Sequence, residues 1–506
     1  MLIDGHALEG DVEVTASVCI VGSGPAGLTL ATELLHAQAD VVIIESGGTA
    51  IEAWAQALND GPVIGDPYSG LRNTRHRQLG GTIHAWNTPV GDDTGAKYAP
   101  LDPRDLTTAE VATEPGGWPI EYSELTQFYP RAQAVCGLGL FDYSAGPMVE
   151  AGRKPFNLTG GHLVSKIYRF GPADRFLETH VAALRNAEAV RVYTNLTVCG
   201  LDAGHGSRIA GLKAMTAGGA KVRVRAKLFV LACGAVENSR LLLLSQAAAP
   251  DLVRDPSGWI GRCFMEHPRD SALVLVPRSP EIFEQARFYD ACEGRDGDTL
   301  CGRLAFADGP PHGSGLPNMS VTLLPRARQP RSWLGRLVAS RRARQAGGYR
   351  WSSGDHLAER FDAFRLLINM EQRPRPENRV VLSGERDALG QPRAELHWRW
   401  SAEEQEALVR LRSLVAGELE SAGVGRVEID HARRPDPNAH HHAGTTRMAE
   451  SPERGVVDRD CRVFSVDNLY VAGASVFPTA GFANPMLTIV ALACRLASHL
   501  GSRRDP

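Results

Sequence analysis

The sequence predicts an α/β (α+β) fold in which a Rossmann-like nucleotide-binding domain is interleaved with a second domain built on an antiparallel sheet. Three observations predict it. A glycine-rich turn at 22–27 separates an apolar strand from a helix and a second strand; the pattern changes to short strands and turns from about 263 to 440; and the final segment returns to the style of the first.

In chain order, residues 16–22 (ASVCIVG) are apolar and rich in β-branched side chains, as a buried strand requires. Gly22-Ser23-Gly24-Pro25-Ala26-Gly27 follows, then the helix-forming LTLATELLHAQ, then a second strand, DVVIIES, which completes a βαβ unit. Residues 60–120 hold many Gly, Pro, Asn and Arg with little periodicity and read as a long functional loop. Between 190 and 233, VRVYTNLTVCGL, IAGLKAM and KVRVRAK read as antiparallel-type strands followed by a buried one, LFVLACG. From 263 onward the short strands suit a roof over a ligand. Within it, 326–350 gathers eight arginines around Trp333, Leu334, Leu337 and Val338, readable as a solvated insertion or lid, or as a basic helix meeting a membrane or partner. NLYVAGAS and TIVALACRLASHL then supply a closing strand and helix. The expected division is 1–72, 155–262 and 445–506 for the nucleotide domain, 73–154 for a covering loop region, and 263–444 for the substrate domain.

Length and composition bound the rest. A chain of 506 residues exceeds what one core usually organises, and 43% hydrophobic with 22% charged residues is ordinary for globular proteins. A formal net charge of -3 gives no global reason to expect nucleic acid or an anionic membrane. The N-terminus carries acidic residues where a secretion signal would carry Lys or Arg, and no uncharged apolar run approaches the roughly 18 residues of a membrane span. Nine cysteines, odd in number and without a C-x-x-C pair, suit free thiols in a reducing compartment, so a cytoplasmic location is expected.

Each glycine of the turn has its own task. Gly22 allows the tight turn after the strand, Gly24 lets backbone approach a pyrophosphate, and Gly27 lets helix pack on strand, with Pro25 and Ala26 between them. The helix N-terminus offers free N–H groups and a partial positive charge to phosphates. Glu45 ends the second strand where a carboxylate accepts hydrogen bonds from a ribose hydroxyl pair, with Ser46 beside it; its charge disfavours a 2′-phosphate. On these residues alone the dinucleotide is FAD or NAD.

The tail separates the two. Residues 440–500, HHHAGTTRMAESPERGVVDRDCRVFSVDNLYVAGASVFPTAGFANPMLTIVALACRLASHL, resemble the C-terminal signature of the glucose-methanol-choline (GMC) oxidoreductases, and LGGTIHAWN at 79–87, LACGAVENSRLLLLS at 231–245 and FMEHP at 264–268 resemble other segments of that family. HHAGTTRM is most similar to the branch of bacterial sugar and polyol dehydrogenases and pyranose oxidases. The resemblance implies an FAD-binding domain of the GMC/PHBH type, oxidation of a CH–OH group of a sugar, glycoside or polyol, and an aminoglycoside or other natural-product alcohol as the alternative substrate. It places the active-site His on His441, three residues before Gly444, and its amide partner on Asn484.

The residue types suit that chemistry independently. Alcohol oxidation needs a base for the hydroxyl proton, and neutral imidazole is matched to neutral pH. An amide can orient the alcohol oxygen without adding charge. His440 and His442 flank His441, and alternation along an extended chain argues that the three do not face one pocket, which also argues against a metal site.

Further contacts implied by the resemblance are Gly80 and Gly81 beside the flavin, Val198 and Ala232 at the nucleotide, Gly473 and Ala474 at the ribityl and phosphate region, and Asn484, Pro485 and Met486 at the ring system. Gly80 and Gly81 are equally readable as a turn, Val198 as core, and His267 of FMEHP as structural. Some relatives tether FAD through a His in this loop; measured back from Trp86 that position is Ala85, not His84, so non-covalent FAD is expected. The electron acceptor is O2 or a quinone-like carrier. Two other readings stay open: lyase chemistry over a relic flavin, and the catalytic subunit of a membrane-attached electron-transfer complex, for which 326–350 would be the docking surface.

Overall fold

The computed structural model describes residues 1–86, 88–91, 93–107, 117–311, 313–328 and 348–502. Strand β1 (Asp11–Val21), helix α1 (Pro25–His36) and β2 (Val41–Ile44) form the βαβ unit, with β1 and β2 parallel and Ile20 opposite Ile43. The inner ends of both strands are apolar and buried on both sides, as parallel strands covered by helices must be. β3 (Val190–Thr194) adds in parallel beyond β2, and β4 (Lys221–Leu231) in parallel on the other side of β1. β5 (Leu469–Val471) returns from the far end of the chain to pair in parallel with β4, Tyr470 opposite Val230. The closing helix α2 (Met486–Ser502) packs against α1, so both chain ends share one core.

Two expectations change here. The run 190–233 is not a simple antiparallel set: β3 belongs to the parallel sheet, and KVRVRAK with LFVL is one continuous strand, β4. Thr197–Ala203 and Ile209–Met215 pair antiparallel, and Ile209–Met215 pairs antiparallel in turn with the first part of β4, Leu212 opposite Val224, as expected for IAGLKAM and KVRVRAK. Alternation along the first half of β4 reflects one solvent-facing side, and loss of alternation along the second half reflects burial on both sides.

The second sheet has nine strands, with antiparallel pairings throughout. Its members include Thr88–Val90, Asp93–Tyr98 and Leu163–Pro172 as well as strands from Arg269–Pro277 to Gly425–Ile429. The region read as a long loop therefore lends strands to the roof, and Leu163–Pro172, assigned by sequence to the nucleotide domain, pairs along its length with Thr299–Phe306. Local pattern cannot tell which sheet an amphipathic strand joins; long-range register decides it. Of the Arg-rich 326–350 segment, 329–347 lie outside the described residues. Among the described residues no helix is long and apolar enough to cross a membrane, and all nine cysteines are free.

Candidate active site

A cleft with about 1360 Å³ of atom-free space, part of it open solvent, is lined by the glycine turn and the histidine triplet. At its base Gly22 has φ 98, and a Cβ there would meet the Ala232 carbonyl at 2.6 Å. A Cβ on Gly27 would stand 2.0 Å from the Gly22 carbonyl, so only glycine lets α1 start this close to β1. Gly24 faces open space and precedes α1 without a side-chain cap, leaving the N–H groups of the first turn directed at the cavity.

Of the sequence-predicted residues, Gly22, Gly24, Pro25, Ala26, Glu45 and Ser46 line this cavity, as do Gly81, Val198, Ala232, Gly473, Ala474, Pro485 and His441. Gly27 serves packing. Gly80, Asn484 and Met486 are not in the lining: Gly80 (φ 92) turns the chain and donates its N–H to Ser23, while Met486 is buried at the start of α2. His84 Nε2 lies 2.9 Å from the Leu79 carbonyl.

The nucleotide end is strongly charged. Glu45 accepts from the Ser23 N–H (2.9 Å) and hydroxyl (2.7 Å) and from the Gly47 N–H (2.9 Å), which ties it to the glycine turn; burial nevertheless raises its pKa. Glu237 lies 2.6 Å from Arg77, 2.7 Å from Arg240 and 3.6 Å from Arg75, and Arg240 reaches Asp387 at 2.6 Å. Burial pushes the Glu237 carboxyl up, but the guanidinium groups of Arg77, Arg240 and Arg75 outweigh it and bring it down to about 2. Burial lowers Arg75 to about 10 against the pull of Glu237.

At the histidine triplet the side chains that meet His441 are uncharged. Asn484 Nδ2 lies 3.2 Å from His441 Nε2, and His441 Nδ1 lies 3.0 Å from His267 Nδ1. An amide nitrogen only donates, so His441 Nε2 carries the lone pair and its Nδ1–H points to His267. Burial, then the charges of His267, Lys97, Arg269 and His442, hold His441 well below the usual imidazole range; burial brings His267 down to about 4. His441 therefore presents a neutral, proton-accepting Nε2 at physiological pH. Lys97, whose charge reaches both rings, comes from the strand Asp93–Tyr98 of the region read as a loop.

His440, His441 and His442 all border the cavity, against the expectation from alternation. His440 adopts φ 59, and this left-handed residue breaks the alternation that the expectation assumed. Sequence reasoning also missed Glu266, Tyr68, Arg75, Arg77, Glu237 and Arg240. Glu266 stands in FMEHP beside His267; Tyr68, Arg75 and Arg77 meet Glu266 or Glu237 across 160 or more residues, whereas Arg240 pairs with Glu237 three positions away as well as with the distant Asp387.

The cavity fits an extended polar dinucleotide. Besides the glycine cradle and the uncapped helix start, Arg75 Nε and Nη1, His76 Nδ1 and His440 Nε2 are buried without a hydrogen-bond partner, and all three residues line it. Such groups call for a polar occupant.

Comparison with known proteins agrees. Residues 374–493 match the family model described as GMC oxidoreductase, and residues 15–60 match that of an FAD binding domain. The chain is 24% identical to 6'''-hydroxyparomomycin C oxidase of Streptomyces lividus over 98% of this chain and 94% of that one. It is 25% identical to paromamine 6'-oxidase of Streptomyces fradiae, covering 95% and 90%. The crystal structure of pyridoxine 4-oxidase from Mesorbium loti superposes with a TM-score of 0.59 at 18% identity, over 97% of this chain and 100% of that one, which shows the shared fold.

Proposed function

The chain belongs to the GMC oxidoreductases, FAD enzymes that act on alcohols, and on that premise we propose that it oxidises a hydroxyl group of a sugar, glycoside or aminoglycoside, with His441 as general base and Asn484 as its partner. The observation that carries the reading is the 3.2 Å contact between Asn484 Nδ2 and Nε2 of His441, a residue of the cavity lining. Gly22, Gly24, Glu45, Gly81, Val198, Ala232 and Gly473, all in the cavity lining, would hold FAD non-covalently, and the flavin would supply the two-electron acceptor for the CH–OH carbon.

The chain's own residues manage the proton. A substrate oxygen entering between Asn484 and His441 accepts from Nδ2 of the amide and donates to Nε2 of the imidazole. His441 then takes the hydroxyl proton, and its Nδ1–H keeps the contact with His267 (3.0 Å). The amide hydrogen bond strengthens as negative charge develops on that oxygen, so it favours the transition state over the bound alcohol. Desolvation of the imidazole keeps it in its basic form. Dioxygen is the proposed electron acceptor, supported by the two near-full-length relatives, both named oxidases.

Anaerobic mixing of the yellow protein with paromamine-type aminoglycosides, C-glycosides, free sugars and simple polyols tests the reading. Bleaching by at least one sugar-derived alcohol, with rapid return of colour in air, is expected. A yellow protein that none of the panel bleaches contradicts it.

A further inference from the structure

Glu266 belongs to neither the glycine turn nor the tail, yet it joins them. The carboxylate is fully buried. Oε2 accepts the backbone N–H of His441 at 3.0 Å and of His267 at 3.2 Å. Oε1 accepts the Tyr68 hydroxyl and lies 3.3 Å from His442 Nε2, which is itself 2.9 Å from the Tyr68 oxygen. The Glu266 N–H is held by Gln372 Oε1 at 3.1 Å, an oxygen that also accepts Trp398 Nε1 at 3.0 Å. A carboxylate facing two donors at each oxygen has no unused acceptor site.

We propose, resting on the alcohol-oxidising reading of this site, that Glu266 is a positioning residue for the His441–His267 pair and that its protonation is coupled through Tyr68 to the tautomer of His442.

One oxygen atom fixes the backbone of both histidines whose Nδ1 atoms meet at 3.0 Å, so the orientation of the base depends on that oxygen remaining an acceptor. The proton count makes the second part specific. With Glu266 ionised, Tyr68 donates to Oε1 and His442 carries its hydrogen on Nε2. When Glu266 takes a proton from solvent, the new O–H occupies the Oε1 side and donates to the Tyr68 oxygen. Tyr68 must then donate to His442 Nε2, and the hydrogen of that neutral ring moves to Nδ1. No other charge changes.

The titratable and charged groups facing this cluster are Tyr68, His440, His441, His442, His267, Lys97, Arg269 and Arg75. Burial raises the Glu266 carboxyl to about 7 against the donors Tyr68, His441 and His267 and the charge of Arg269, which brings the exchange into the working range of the enzyme. Burial, then Arg75 and His440, holds His442 well below its ordinary value, so its ring changes tautomer rather than charge.

The test is a pH titration of substrate-free holoenzyme labelled with 15N in the histidine rings, with His442 assigned from His442→Asn. As pH falls through about 7, its Nε2 signal should move from the protonated to the unprotonated type, and Glu266→Gln and Tyr68→Phe should each abolish that movement. With an oxidisable alcohol, Glu266→Gln should lower kcat roughly 10-fold at little change in KM, the loss expected for one charge-assisted hydrogen bond. A His442 signal that is constant between about pH 5 and pH 9 in the parent, or that moves identically in Tyr68→Phe, overturns the coupling. Parental kcat in Glu266→Gln overturns the positioning role. Because the titration uses no substrate, absence of any oxidisable alcohol would count against the proposed function and leave this test standing.

Discussion

The two ends of the cavity solve opposite electrostatic problems with buried polar groups. At the nucleotide end Glu237 has Arg75, Arg77 and Arg240 within 4 Å, and Arg240 also has Asp387, so the charges of this cluster are paired. At the alcohol end the histidines are stripped of water and given neutral partners, Asn484 and His267, with the nearby cations Lys97 and Arg269 keeping protons off. Paired charges hold a fixed geometry; a desolvated neutral imidazole remains ready to accept a proton. One end is built to bind and the other to react.

Breaking the charged end should have the largest structural effect. Glu237→Leu leaves the guanidinium groups of Arg75 and Arg77 without their carboxylate, and a loss of about 3–5 kcal/mol is expected, seen as a lowered Tm and loss of FAD on gel filtration. Gly27→Ala forces a methyl against the Gly22 carbonyl and should cost on the order of 3 kcal/mol, again with release of FAD, because backbone cannot yield as a side chain can. Asn484→Ala should leave Tm and bound FAD unchanged and slow anaerobic bleaching by about 10–100-fold, the worth of a hydrogen bond to a developing charge. If it instead releases FAD, the division between a binding end and a reacting end is wrong.

The smallest effects sharpen the contrast, since the two buried glutamates should respond to pH with opposite sign. Glu237 is depressed to about 2 from an ordinary 4.5, so its stabilisation is present above pH 4.5 and lost as pH falls through 2. Glu266 is raised from 4.5 to about 7, so its contribution is present below pH 4.5 and lost as pH rises through 7. In Tm measured against pH, Glu266→Gln should flatten the decline between pH 5 and 8 and leave the acid limb unchanged.

The first βαβ unit was legible because its signals are local: a strand, three spaced glycines, a helix and an acid in one stretch of 30 residues, which the structure keeps together as β1, α1 and β2. His441 and Asn484 were reached through the resemblance of the tail, and their contact spans only 43 positions. Glu266, Tyr68 and Glu237 were not reached because decisive partners are distant in sequence, 160 residues between Glu237 and Arg77, 198 between Tyr68 and Glu266 and 374 between Tyr68 and His442, where neither spacing nor periodicity carries information. The same limit misplaced Leu163–Pro172, an amphipathic strand that either sheet could have taken. The positive φ of His440 likewise has no signature in three identical residues.

The account turns on His441 as the group that receives the alcohol proton. Its most direct test is the rate of anaerobic flavin bleaching in His441→Ala against the parent, at saturating alcohol and with FAD content matched by absorbance. A fall of about 10²–10⁴-fold with FAD retained is predicted, the usual contribution of a general base. Bleaching at the parental rate would contradict it and move the proton acceptor to another residue.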